Sequence, residues 1–204
     1  ANPDNPTGTY VTRAELAAFL RGLPHRVITV VDEAYYEFVE ARDYPQTIPW
    51  MARHPLIVTR SFSKAYGLAG LRIGYGIARP SLIRAMDAVR EPFNVNSLAQ
   101  AAACAALEDR VFLQRTRQMV RAGRRELTRE LARLGLGVVP SVTNFLRIRV
   151  GAQASRLARR LLEQGVIVRE MSAWNLRGCV RVTIGTMAEN RRFITALQRC
   201  LSRR

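Results

Sequence analysis

Lysine is almost absent from this sequence of 204 residues. Lysine and arginine together number 32, but Lys64 is the single lysine. Arginine stays protonated at any working pH, whereas a desolvated lysine amine can lose its proton and attack a carbonyl to form a Schiff base. Lys64 is therefore a candidate covalent residue. The alternative is a solvated surface lysine that has survived in an arginine-rich sequence.

Cysteine and long hydrophobic runs are also scarce. Cys104, Cys179 and Cys200 are odd in number, widely spaced and without a CxxC pair, which argues against a disulfide framework or a thiolate metal site. We expect no bound metal and a reducing, cytoplasmic compartment. No apolar run reaches the length of a membrane span and no leader is visible, so we expect no membrane partner.

Acidic residues are few, and the 16 Asp and Glu leave a net charge of +16. Such a basic chain often binds nucleic acid or a membrane surface. The arginines, however, are scattered over predicted helices without interleaved aromatic residues or a recognisable binding motif. We therefore expect no nucleic-acid partner, and a basic binding module remains the alternative from a different functional class.

One long predicted helix, over residues 110–134, carries many of the arginines. Its arginines recur every four residues and its apolar residues every seven, which predicts one solvated face and one buried stripe. The solvated face comprises Arg117, Arg121, Arg125, Arg129 and Arg133, and the buried stripe comprises Leu113, Val120, Leu127 and Leu134.

The first half of the chain alternates predicted strands and helices. Thr12 and Glu15 have the spacing of a capping box before a helix that extends to Leu23. The apolar, β-branched run at 27–31 predicts a strand buried on both faces and ending at Asp32. Further strands are predicted at 56–59 and 73–78, with helices from residue 80 and over 97–107. This alternation predicts an α/β fold with a mainly parallel sheet.

The second half predicts a smaller α+β domain. Strands are expected at 138–139, 144–150, 166–169 and 179–184, and helices at 152–164 and 187–201. We place the two domains at residues 1–108 and 109–204. The chain opens on the loop-like string ANPDNPTG without a methionine, so we expect the later part of a longer protein, with the large domain incomplete.

Several polar residues follow the predicted strands, where open α/β sheets place their sites. Asp32 ends the first strand, although a carboxylate there is equally well a cap or a salt-bridge partner. Lys64 follows the second strand, between Ser61, Ser63 and Arg72, whose hydroxyls and guanidinium suit a phosphate dianion. His25 and His54 match no motif and are interpreted as surface or boundary residues.

Four strings in this order, NPDNPTG, VDEAYYEF, SFSKAYGLAGLRIGY and CVRVTIGT, resemble the fold-type I pyridoxal-phosphate-dependent aminotransferases, and among them the histidinol-phosphate aminotransferases. The resemblance runs from the first residue to nearly the last. It implies the fold of that family, a bound pyridoxal 5'-phosphate and a homodimer. It also implies exchange of an amino group between L-histidinol phosphate and 2-oxoglutarate, so the expected partners are a small amino donor and a 2-oxo acid.

The resemblance implies a role for each motif residue. Lys64 would hold the cofactor covalently and move the proton between the substrate carbon and the cofactor. Asp32 would pair with the pyridine nitrogen, and Tyr35 and Asn5 would hydrogen-bond the phenolic oxygen. Ser61, Ser63 and Arg72 would hold the cofactor phosphate.

Two arginines of the second domain would bind the substrate. Arg181 matches the family's carboxylate-binding arginine, and Arg169 matches one that helps to hold the substrate phosphate, although it could equally be a surface strand residue. Related interpretations are an aromatic amino-acid aminotransferase and a threonine-phosphate decarboxylase. From another class, the effector domain of a transcription regulator built on this fold remains open.

Overall fold

The computed structural model describes residues 1–202, which form two compact units. Unit 1 comprises residues 1–3 and 10–114, and unit 2 comprises residues 4–9 together with the chain from residue 115 onward. The predicted domain boundary between residues 108 and 109 stays a prediction. No helix within residues 1–202 combines the length and the apolar character that a bilayer crossing requires.

Unit 1 contains a three-stranded sheet in the order β1-β2-β3. The strands are β1 (Thr29–Asp32), β2 (Leu56–Ser61) and β3 (Gly74–Ala78). The predicted parallel arrangement is confirmed for β1 and β2, which pair Asp32 with Thr59. β3 runs antiparallel to β2 and pairs Gly74 with Ser61.

The prediction that the first strand is buried on both faces is wrong for this chain. The strand begins at Thr29 rather than Val27, and Val30 is 57% exposed while Val31 is only 5% exposed. Val31 packs with Leu16, Leu20 and Leu56, so the helix before the strand covers one face of the sheet only. The apolar run shows that both faces of the strand are hydrophobic, but it does not show which face is covered by other elements of this chain.

Three helices belong to unit 1. α1 (Arg13–Gly22) begins with the predicted capping box, in which the Thr12 hydroxyl accepts from the Glu15 amide and the Glu15 carboxylate accepts from the Thr12 amide. α2 (Pro80–Val89) begins at its proline, and α3 (Ser97–Glu108) follows the N-cap Asn96. Short 3-10 turns lie at Tyr36–Phe38, Ile48–Ala52 and Ala69–Leu71 of this unit and at Gly151–Gln153 and Ser172–Trp174 of unit 2.

The long helix α4 (Arg110–Arg133) confirms the predicted arginine face, because all five arginines of that face are exposed. The buried stripe is only half right: Val120 and Leu127 are buried, but Leu113 and Leu134 are half-buried, and Gly123 and Leu131 join the stripe. A straight helix drifts by about 20° per heptad relative to a seven-residue repeat, so residues at the two ends of the repeat rotate away from the core.

Unit 2 contains a four-stranded antiparallel sheet in the order β4-β5-β7-β6. Its strands are β4 (Gly137–Val139), β5 (Phe145–Arg149), β6 (Arg169–Glu170) and β7 (Cys179–Thr183), and its further helices are α5 (Ala154–Glu163) and α6 (Met187–Ser202). The predicted strand at 166–169 is wrong except at Arg169, because the Val166 amide closes the end of α5 by donating to the Leu161 carbonyl. The three cysteines are free thiols, as the sequence predicts.

Candidate active site

Several of the predicted site residues lie at one edge of the unit 1 sheet. Asp32 and Ser61 are the last residues of β1 and β2, and parallel strands end at the same edge. β3 runs antiparallel to β2 and begins opposite its last residue. Arg72, which precedes β3, therefore lies at the same edge of the sheet. Lys64 lies in the turn that follows β2. The fold therefore gathers residues from two of the four motifs.

Asp32 is exposed and keeps acceptor capacity for a ligand. One carboxylate oxygen accepts from the Ala34 amide at 3.1 Å and from the Thr59 hydroxyl at 3.4 Å. An ionised carboxylate offers about four acceptor sites. The remaining sites can bind a protonated nitrogen.

Lys64 is held by a tight turn and faces an aromatic ring. The Gly67 amide donates to the Lys64 carbonyl at 3.1 Å, and Gly67 adopts a φ of +71° that only glycine accepts readily. The Lys64 Nζ lies 5.4 Å from the ring centroid of Tyr35, which is buried. Within the described chain this amine forms no hydrogen bond or ion pair. A half-buried amine without a carboxylate partner is suited to act as a nucleophile.

Ser61, Ser63 and Arg72 place hydrogen-bond donors beside the lysine turn. The Ser61 hydroxyl accepts from the Ser63 amide at 3.0 Å and is free to donate its own hydrogen outward. Arg72 is exposed, has a φ of +55°, and donates to the Ala69 carbonyl at 2.8 Å. At Gly74, a Cβ would lie 2.8 Å from the Arg60 carbonyl oxygen, so only glycine permits this approach of β3 to β2.

A buried ion pair that the sequence interpretation missed lies next to these residues. Glu33 is completely buried and accepts from Arg60 at 2.9 and 2.8 Å and from the Thr47 hydroxyl. The Arg60 guanidinium also lies 3.5 Å from the ring centroid of Tyr36. Burial tends to lower the pKa of Arg60, but the hydrogen bond and charge of Glu33 outweigh this and the pKa is raised. The sequence contained a signal for this pair, because Glu33 directly follows Asp32 and the oppositely charged Arg60 directly precedes Ser61.

Unit 2 holds the remaining predicted residues. The Arg181 side chain donates to the amide oxygen of Asn5, and its guanidinium carbon lies 4.9 Å from the ring centroid of Phe145 and 5.8 Å from that of Trp174. Arg169 is exposed and pairs with Arg181 across β6 and β7. Asn5, Arg169 and Arg181 therefore belong to one unit, and the six other predicted site residues belong to the other.

The two histidines lie apart from this edge. His25 is exposed and His54 half-buried, and both line a surface cavity of about 1190 Å³ between α1 and the turn at Ile48–Ala52. None of the predicted site residues lines this cavity. This cavity lacks the lysine and the phosphate donors.

The family model for aminotransferase class I and II matches residues 1–197. The chain belongs to this family. Histidinol-phosphate aminotransferase 1 of Nitrosococcus oceani is 52% identical over 202 residues, which cover 98% of this chain and 55% of that protein. The chain thus spans about half the length of the curated relatives that it matches.

Solved structures of class I and II aminotransferases and their relatives have the same fold. The histidinol-phosphate aminotransferase of Sinorhizobium meliloti in complex with pyridoxal-5'-phosphate superposes with a TM-score of 0.91 at 35% identity, covering 98% of this chain and 56% of that one. The L-threonine-O-3-phosphate decarboxylase of Porphyromonas gingivalis superposes with a TM-score of 0.83 at 30% identity, covering 99% and 63%. The predicted fold class is confirmed.

Proposed function

We propose that this chain belongs to a pyridoxal-phosphate-dependent aminotransferase that transfers the amino group of L-histidinol phosphate to 2-oxoglutarate, giving imidazole acetol phosphate and L-glutamate in histidine biosynthesis. The observation that carries the proposal is the 52% identity to a histidinol-phosphate aminotransferase over nearly the whole chain. We further propose a homodimer that works in the cytoplasm, with no nucleic-acid or membrane partner.

The donor set at the sheet edge fits pyridoxal phosphate. Two hydroxyls and a guanidinium, from Ser61, Ser63 and Arg72, match the acceptor oxygens of a phosphate. The open acceptor sites of Asp32 match a protonated ring nitrogen. The Lys64 amine, which has no ionic partner within the described chain, can form a Schiff base with the aldehyde of the cofactor.

Each residue has a distinct task in the proposed reaction. When bound, pyridoxal phosphate supplies an electron sink for the substrate carbon that loses its proton. The Lys64 amine would hold the cofactor and, after the amino group of the substrate has displaced it, would take and return the proton at that carbon. Asp32 keeps a proton on the ring nitrogen because a carboxylate favours the positively charged form. Tyr35, and the NH2 group of Asn5, would donate to the phenolic oxygen.

The proposed substrate contacts lie in unit 2. Arg181 presents a planar guanidinium close to two aromatic rings, and a planar guanidinium suits bidentate binding of an anion. Arg169, its neighbour across the strands, would add a second guanidinium for a phosphate dianion.

The first test concerns the covalent residue. We expect the full-length protein to bind pyridoxal phosphate, and we expect borohydride reduction followed by peptide mapping to find the label on Lys64 alone. Lys64→Ala should lose measurable transamination, because no other amine can replace it. The control is Arg133→Ala on the exposed face of α4, which should keep both properties. Cofactor trapped on a different residue would contradict the assignment.

A second candidate, a threonine-phosphate decarboxylase, is favoured by the TM-score of 0.83 to such an enzyme. The two reactions differ in the bond that breaks, since one removes a proton and the other carbon dioxide. Incubating the full-length protein with threonine phosphate and with histidinol phosphate plus 2-oxoglutarate separates them. Release of carbon dioxide without formation of glutamate would replace our proposal, and preference for phenylalanine would favour the aromatic aminotransferase.

A further inference from the structure

Three arginines form one row across the unit 2 sheet. Arg147 of β5 pairs directly with Arg181 of β7, and Arg181 pairs directly with Arg169 of β6. Residues that pair across antiparallel strands carry their side chains on the same face, with Cβ atoms about 4.5–5.5 Å apart. The register therefore brings three arginines, from three separate stretches of sequence, to one face of the sheet.

This face is the more open of the two. On the opposite face, the neighbours of the row are the buried core residues Leu146, Ile148, Val180 and Val182. Arg147 and Arg181 are half-buried and Arg169 is exposed. The row can therefore be reached by a ligand at its Arg169 end and becomes more enclosed toward Arg147.

No carboxylate neutralises the row within residues 1–202. Arg181 donates to the neutral amide of Asn5, and neither Arg147 nor Arg169 has an ion-pair partner there. The Arg147 Nε is buried and has no hydrogen-bond partner in the described chain. Like charges directly opposite one another destabilise a sheet, and an unsatisfied buried donor adds a further cost. An anion bound to the row would remove the repulsion between the like charges.

We propose that Arg147 is a further substrate-binding residue, which joins Arg181 and Arg169 in holding the dianionic phosphate of a phosphate monoester. A single carboxylate is satisfied by one guanidinium fork, whereas a phosphate has three terminal oxygens and two negative charges that can engage several forks. Arg147 is the added substrate-binding residue, and the two terminal nitrogens of its guanidinium would donate to the phosphate. The identity of the ester, histidinol phosphate, and the roles of Arg169 and Arg181 rest on the proposed function, whereas the placement of Arg147 beside them does not.

The site is tested first without turnover. In the full-length protein with pyridoxal phosphate bound, so that the cofactor's own phosphate occupies the donors of Ser61, Ser63 and Arg72, we expect inorganic phosphate to raise the melting temperature and to bind in calorimetry. Arg147→Leu should weaken that binding by about 10- to 100-fold, the loss expected for a hydrogen bond to a charged group. Arg147→Lys should restore part of the affinity, because the charge returns without the planar fork.

The matched control is Arg149→Leu, which removes an arginine from the same strand and the same face. Arg149 pairs with Gly137 and Cys179 rather than with another arginine. We expect its effect on phosphate affinity to stay within about fivefold, as for an exposed charge. Equal losses in the two variants would mean that the general positive potential binds phosphate, and the proposed site would be rejected.

Kinetics with the holoenzyme separate this inference from the proposed function. Arg147→Leu should raise KM for histidinol phosphate by about 10- to 100-fold. KM for phenylalanine and cofactor affinity should stay nearly constant. Normal use of histidinol phosphate by Arg147→Leu would overturn the inference and leave the function standing. If the wild-type protein binds phosphate through Arg147 but does not transaminate histidinol phosphate, the proposed function is rejected and the phosphate-binding role of Arg147 is kept.

Discussion

At the scale of single residues, two adjacent carboxylates have opposite environments. Asp32 is exposed at the sheet edge with open acceptor sites, whereas Glu33 is completely buried against Arg60. Burial alone would have singled out Glu33 as the unusual carboxylate, but its acceptors are occupied by the protein. Accessibility and unused hydrogen-bonding capacity, rather than burial, mark Asp32 as the residue available to a ligand.

Asp32→Asn should keep part of the cofactor affinity but lower kcat by about 100- to 1,000-fold, the usual cost of removing one electrostatic contact to the reacting group. The amide cannot stabilise a positive charge on the ring nitrogen. Steady-state kinetics and a cofactor titration of the full-length variant measure the two effects. Turnover close to that of the wild type would contradict the assigned role.

Glu33→Gln should destabilise the full-length protein by about 3–5 kcal/mol, because it leaves Arg60 as an uncompensated, mostly buried charge. The side chain of Arg60 is only 13% exposed. Replacing both partners, in Glu33→Leu with Arg60→Met, should recover much of the loss. Urea unfolding measures both variants. Glu130→Gln, which breaks the exposed pair with Arg133, is the control and should cost at most about 1 kcal/mol. Equal costs for the two single variants would refute the explanation.

At the scale of elements, α4 packs against the segment that follows β7 through a glycine. A Cβ on Gly123 would lie 2.6 Å from both the Asn190 amide nitrogen and the Ile184 Cγ2. Asn190 cannot move away freely, because its side chain accepts from the Gly185 amide at 3.0 Å and donates to the Gly185 carbonyl at 3.1 Å. The glycine therefore sets how closely the helix approaches the segment after β7.

Gly123→Ala should destabilise the protein although alanine is the better helix former. Overpacking costs about 1–3 kcal/mol and the gain in helix propensity returns at most about 1 kcal/mol. The control Ala132→Gly, on the exposed face of the same helix, should cost about 1 kcal/mol from propensity alone. Both changes are measured by urea unfolding of the full-length protein. A Gly123→Ala variant more stable than the wild type would show that the helix can shift.

At the scale of the whole molecule, the excess of arginine has two different structural meanings. On α4 the arginines form a solvated face, as their spacing of four residues predicts. In the unit 2 sheet, three arginines meet in one row without a carboxylate among the described residues. Within unit 2, the same residue type is thus a solvated surface group on a helix and a candidate anion site in the sheet, and composition alone cannot distinguish the two.

The sequence by itself determined the helices, the capping box at Thr12, and the positions of Asp32, Lys64 and Arg72 around strand ends, because periodicity, caps and motifs are encoded over a few neighbouring residues. Only the tertiary structure decided that Val30 is exposed, that Glu33 pairs with Arg60, and that Arg147 joins Arg181 and Arg169. These features depend on strand register and on which elements cover a sheet, and both are set by contacts between residues far apart in the chain.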